Sequence, residues 1–148
     1  MTNFTPSTQF FALLKIYEGC RLTAYQDTGG IWTIGYGHTA NVKAGDILTQ
    51  AQAETYLLQD CKVDIAVLNQ IGSCRSQNQF DACLDLMYNI GCGTFSRDAA
   101  LRAALLSQDK EALTRAFMAH DMDRQKHLLL GLENRRQKEL ALFFTPNK

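Results

Sequence analysis

Two acids stand where proton transfer could be organised, Glu18 and Asp27. Phe10, Phe11, Leu13, Leu14 and Tyr17 recur at helical spacing ahead of Glu18, which predicts a short amphipathic helix over residues 7–18. Gly19 follows at once and stops it. A helix C-terminus carries partial negative charge, which disfavours an ionised acid and is expected to raise the pKa of Glu18. Asp27 lies beside the turn Thr28-Gly29-Gly30, a polar and solvated place where a carboxylate stays ionised. One protonated and one ionised carboxyl group facing a common groove can protonate a leaving oxygen and activate water, the division of labour that hydrolyses glycosidic bonds. Taken alone, such residues are more often a surface acid and an ordinary turn aspartate; the residues around them must decide.

The elements that would position the pair are legible. After Gly19 the pattern changes to period two: Leu22, Ala24 and Tyr25 lead to the turn, and Ile31 to Tyr36 returns as a second strand. Thr33 lies on that return strand, and Trp32 alternates to its opposite face as a packing residue. A loop from Ala40 to Leu48 ends at Thr49, an N-cap, and one long helix is predicted from Gln50 to about Asn69, with Tyr56, Leu57, Val63, Val67 and Leu68 among its apolar positions. Further helices are predicted over residues 77–89, 96–107, 110–120 and 129–144, the last with Leu128, Leu132, Leu140 and Phe143 as its apolar face. Gly91-Cys92-Gly93 reads as a tight turn, and Thr145 to Lys148 as a frayed tail.

At 148 residues the chain is one domain by length. Its formal net charge is zero, so there is no electrostatic footprint for nucleic acid, and no tight adsorption to an anionic polymer is expected. No run of apolar residues is long enough for a membrane span, and Met1 to Ser7 does not read as a signal peptide. The five cysteines lack metal-ligand spacing with the three histidines, and their odd number argues for reduced thiols in a protein made in the cytoplasm. Cys61 and Cys83 read as small core residues, whereas a Cys20–His38 thiol hydrolase is a rival arrangement that lacks an orienting third group.

The motif Glu18-Gly-Cys-Arg-Leu-Thr-Ala-Tyr-Gln-Asp27, continuing to Thr33-Ile-Gly-Tyr-Gly-His38-Thr39, resembles that of the phage-type lysozymes, the endolysin muramidases of glycoside hydrolase family twenty-four. The likeness continues through Phe80 to Phe95 and through Gly131 to Phe143, in order, over nearly the whole chain. It implies an α+β, lysozyme-like fold in a single domain. A small N-terminal β-sheet lobe (about 19–48) is joined by a long helix (about 50–69) to a larger helical lobe (about 77–144, with the N-terminal helix), and the active-site cleft lies between them. It implies Glu18 as general acid, Asp27 assisting water and Thr33 holding that water. Tyr25, Tyr88 and Asn89 would contact saccharide, and Arg135 rather than Arg136 would point at the acid. It suggests that His38 pairs with an acid of the long helix, Asp60. No metal or organic cofactor is implied. The expected partner is the peptidoglycan glycan strand, cleaved at the β-1,4 bond between N-acetylmuramic acid and N-acetylglucosamine by a monomer, with a holin pore or cell lysis as its route to the wall. A lytic transglycosylase, or a non-catalytic peptidoglycan-binding module on the same scaffold, are the rival readings. Residues 119–127 depart from the family pattern, with His120 and no glycine before Gly131.

Overall fold

The expected change from helical to strand periodicity at Gly19 is where the backbone reverses its character. In the computed structural model, which describes residues 3–122 and 129–146, helix α1 (Thr8–Glu18) ends on Glu18, and Gly19 takes φ +65°, a conformation that costs glycine little. Strands β1 (Arg21–Gln26) and β2 (Trp32–Gly35) then pair antiparallel, with Tyr25 opposite Thr33 and Gln26 opposite Trp32. Helices follow as α2 (Gln50–Asp60), α3 (Lys62–Ile71), α4 (Gln77–Ile90), α5 (Cys92–Arg97), α6 (Ala99–Ser107), α7 (Lys110–Met118) and α8 (Leu130–Phe143).

The chain divides into two compact units, one comprising Met1–Leu13 and Asp64–Lys148, the other Leu14–Val63. In the smaller unit the segment after the hairpin adds itself to the free edge of β1. Ala24 N donates to Asp46 O at 2.9 Å and Leu48 N to Leu22 O at 2.8 Å. Thr49 then caps α2 with a reciprocal box: its side chain accepts from Gln52 N, and Gln52 Oε1 accepts from Thr49 N at 2.8 Å. Ala53 and Leu57 are the buried face of α2, and Gly35 approaches Ala53 so closely that an added Cβ would sit 3.4 Å from its side chain.

In the larger unit, α4 carries the core. Every residue from Phe80 to Met87 is buried, including Asp81 and Asp85. Phe95, Leu101, Leu105, Leu113, Phe117, Leu140 and Phe143 complete the apolar interior, each worth roughly 1.5–3 kcal/mol when fully removed from water. Asp81 ties down the N-terminal segment by accepting from Ser7 N at 3.0 Å and from the Ser7 hydroxyl. Asn69 does the same for Phe4, exchanging two hydrogen bonds of 2.9 Å with its backbone.

Several boundaries differ from the sequence expectation. The helix expected as one piece over 50–69 is broken at Cys61, a fully buried residue whose N–H bonds both Leu57 O and Gln59 O. Val63, expected on its apolar side, is 64% exposed. The helix expected over 96–107 is two helices, because Asp98 leaves the helical region (ψ 98°) and its carboxylate caps Leu101 N at 2.9 Å. Only Gly91, at φ +87°, forms the predicted glycine turn, since Cys92 and Gly93 already belong to α5. Thr145 is not frayed: its N–H bonds Leu142 O at 3.0 Å and its carbonyl accepts from Asn78 at 2.9 Å. Leu128, and residues 123–127 of the atypical segment, lie outside the described residues.

Candidate active site

Glu18 is exposed at the last position of α1, and the chain on either side of it is pinned to α2. One turn before it, Lys15 Nζ meets Glu54 Oε1 at 3.1 Å; two residues after it, the Cys20 thiol approaches Gln50 Oε1 at 3.8 Å. Gln50 in turn donates to the Tyr36 hydroxyl at 2.7 Å and to Glu54 at 3.3 Å. The hydrogen bond from Lys15 is the chief reason that the Glu54 carboxyl lies below its ordinary value.

Asp27 is held differently. Its Oδ1 accepts the turn amides of Gly29 at 2.8 Å and Ile31 at 2.9 Å, and its own N–H bonds Ile31 O at 2.9 Å. Both side-chain bonds fall on one oxygen. Among the described residues no donor engages Oδ2, so the turn orients the carboxylate and leaves one oxygen for chemistry. Tyr25 and Thr33 are a directly opposed pair and therefore share a face of the hairpin. One face of the Tyr25 ring is covered by the Arg21 guanidinium, 4.0 Å from its centroid. Thr33 is 4% exposed, and its hydroxyl donates to Ile31 O at 3.0 Å, so its oxygen can only accept from a further partner.

The expected His38–Asp60 pair is present. Nδ1 lies 2.9 Å from each Asp60 oxygen, Nε2 lies 3.0 Å from Ala40 O, and the ring packs on Tyr56 with centroids 4.5 Å apart. Because the Ala40 carbonyl can only accept, Nε2 carries a hydrogen. Both ring nitrogens are thus committed, and the Cys20 thiol faces Gln50, so the Cys20–His38 arrangement is excluded.

The remaining candidates belong to the larger unit. Tyr88 and Asn89 are half-buried in the last turns of α4, which Gly91 caps. Arg135 is 3% exposed and grips Asp85 with two hydrogen bonds, Nε–Oδ2 at 2.8 Å and Nη2–Oδ1 at 3.0 Å. Arg136 is fully buried on Glu139, Nη2–Oε1 at 2.6 Å, so both arginines are buried and ion-paired. Burial pushes the Glu139 carboxyl well above the usual range, helped by its hydrogen bond to Asp85, and the neighbouring arginines reverse this only in part. Glu139 Oε2 is buried and has no donor to it among the described residues, which suits a carboxyl whose neutral form is favoured. Sequence reasoning missed this cluster, although Arg135, Arg136 and Glu139 share a helix with Leu132, Leu140 and Phe143 at spacings that carry charge toward the apolar side. It noted His120 but not its partner: Nε2 meets Asp98 Oδ2 at 2.9 Å.

The phage lysozyme family matches residues 15–139 of this chain, which holds every candidate discussed above. The chain belongs to the phage lysozyme family. It is 41% identical over 141 residues to an endolysin of Acyrthosiphon pisum secondary endosymbiont phage 1, covering 93% of this chain and 96% of that protein. Among solved structures, the endolysin from Escherichia coli O157:H7 phage FAHEc1 superposes with a TM-score of 0.86 at 31% identity, covering 97% of this chain and 95% of that one. The muramidase domain of SpmX from Asticaccaulis excentricus gives 0.86 at 30% identity, covering 96% and 99%. The small two-stranded sheet with a helical majority is therefore the lysozyme-like α+β fold that the motif implied. As a member of this family, the protein is a lysozyme-type glycoside hydrolase, a muramidase that lyses cell walls. Among the described residues no helix is long and apolar enough to cross a membrane.

Proposed function

We propose that this phage lysozyme cleaves the β-1,4 bond between N-acetylmuramic acid and N-acetylglucosamine in peptidoglycan by a single displacement that inverts the anomeric carbon. Glu18 gives its proton to the glycosidic oxygen as the bond to the anomeric carbon breaks. A water attacks that carbon from the opposite face while Asp27 takes one of its protons. Solvent then returns a proton to Glu18 and removes one from Asp27, restoring both groups. Thr33 accepts a hydrogen bond from the water, since its own proton is spent on Ile31 O. Tyr25, Tyr88 and Asn89 contribute saccharide contacts, whereas Arg135, buried on Asp85, does not. The enzyme works as a monomer on the wall, after a holin pore or lysis has given it access.

The observation that carries this reading is the asymmetric hold on Asp27: Oδ1 fixed by two amides and Oδ2 unengaged. A carboxylate held so suits a base that polarises water, for which inverting enzymes keep the two carboxyl groups roughly 6.5–9.5 Å apart. Two measurements test it. Mass analysis of digested peptidoglycan should find products carrying the elements of water, where a transglycosylase would release anhydro sugars and a binding module nothing. NMR of the first-formed anomer should find α product; initial β product would mean that a protein group attacks the sugar directly.

A further inference from the structure

We infer that the small unit carries a second glycan site, on the face of the hairpin opposite Thr33, which takes uncharged N-acetylated sugar residues and holds the enzyme on its polymer. The inference rests on the peptidoglycan reading above. A pocket of about 530 Å³ opens between the 38–48 segment and α2, lined by Ile34 of β2 and by Asn41, Asp46, Gln52, Tyr56 and Gln59 among others. Successive strand residues point to opposite faces, so Ile34 turns into this pocket while Thr33 turns away from it, and neither Glu18 nor Asp27 lines it.

The lining has the chemistry of a sugar site. The Asn41 and Gln59 carboxamides, the Gln52 Nε2 amide and the Tyr56 hydroxyl have no hydrogen-bond partner among the described residues, so each can serve a hydroxyl or an acetamido group. Asp46 accepts from Lys43 N through Oδ2 at 2.8 Å and keeps its other oxygen for a hydroxyl pair. Val42, Leu48 and the 74% exposed Ile47 supply apolar surface for a ring face or an acetyl methyl. No lysine or arginine lines the pocket, which argues against an anionic ligand.

The site is also preformed. Asn41 is fixed at φ +60°, Asp46 O and Leu48 N are bonded to β1, and His38 is clamped between Asp60 and Ala40. A rigid pocket avoids the ordering cost that weakens loop-borne sites. It would also supply wall affinity that a chain of zero net charge cannot draw from electrostatics.

The test combines Asn41→Gly, which keeps the positive φ, Tyr56→Phe, which keeps the packing on His38, and Gln59→Ala. Retention on insoluble peptidoglycan, measured in a Glu18→Gln background so that the polymer survives, should fall by at least about tenfold, as expected when one of two linked contacts is removed. Turnover of short soluble glycan fragments by the triple variant with Glu18 intact should stay within about twofold of wild type. Titration of the unsubstituted protein with an N-acetylglucosamine tetramer should move backbone NMR signals of residues 41–59. Unchanged retention, equal losses of retention and soluble turnover, or no shifts in that segment would each overturn the site. Absence of cleavage by wild type with retention still lost would overturn the catalytic reading alone.

Discussion

At Glu18 the proposed chemistry comes down to one proton, so the informative substitution removes the proton and keeps the shape. Glu18→Gln is expected to fold normally, since the side chain is exposed, and to lose about 10²–10⁴-fold in turnover, the usual contribution of general acid catalysis. A turbidity assay that left more than a tenth of the activity would remove Glu18 from that role. Glu139 offers a second residue-scale test. Its carboxyl is raised above the unfolded value, so its stabilising influence is complete below the ordinary glutamate range, near about 4.3, and is lost as pH rises through the folded value. Glu139→Gln keeps a permanent donor toward Asp85 and cannot ionise. The melting temperature of wild type should therefore fall more steeply from acid toward neutral pH than that of the variant. Parallel curves would mean that Glu139 is not a titrating part of the cluster.

Among the elements, the 38–48 segment depends on one long-range pair. Asp60, at the end of α2, holds the His38 ring through both carboxylate oxygens, and Ala40 O takes the other nitrogen. His38→Asn and Asp60→Asn should each destabilise the protein by more than a typical surface change, which stays within about 0.5 kcal/mol. Their double-mutant cycle should show a coupling of at least about 0.5 kcal/mol by denaturant unfolding. Additive effects would show that the two side chains hold the segment independently. The capping box at Thr49 does a related job at the other end of the segment, where the chain must leave the edge of β1 and enter a helix within one residue.

For the molecule as a whole, charge is the property that sets it apart from a basic wall-binding protein. Lysines and arginines number 15, as do aspartates and glutamates, so there is no net field to draw the enzyme to an anionic polymer. Lysis should accordingly change by less than about twofold between roughly 50 and 300 mM NaCl, although the screening length shortens markedly over that range. A steep loss of activity with salt, measured on the same wall preparation, would show that local charge dominates adsorption despite the balanced total.

The sequence determined what near neighbours dictate. Gly19 after a helical run, Thr28-Gly29-Gly30 after Asp27, and alternating residues from Ile31 are instructions read within a few residues, and the helix end, turn and hairpin appear at those positions. The motif around Glu18 and Asp27 also carried the family, because it constrains many residue types at set spacings. Only the tertiary structure decided the rest. Cys61 and Asp98 interrupt stretches whose local pattern is helical throughout: Cys61 sits in a fully buried break, and Asp98 uses its carboxylate to cap α6 and meet His120. Arg135 looks like a surface residue in one dimension because the group that makes its burial tolerable, Asp85, lies fifty residues away on α4. A charge can leave water only where a partner is already fixed, and that condition is nonlocal. The pocket against α2 is nonlocal in the same sense, since a strand, a loop and a helix each supply part of its wall.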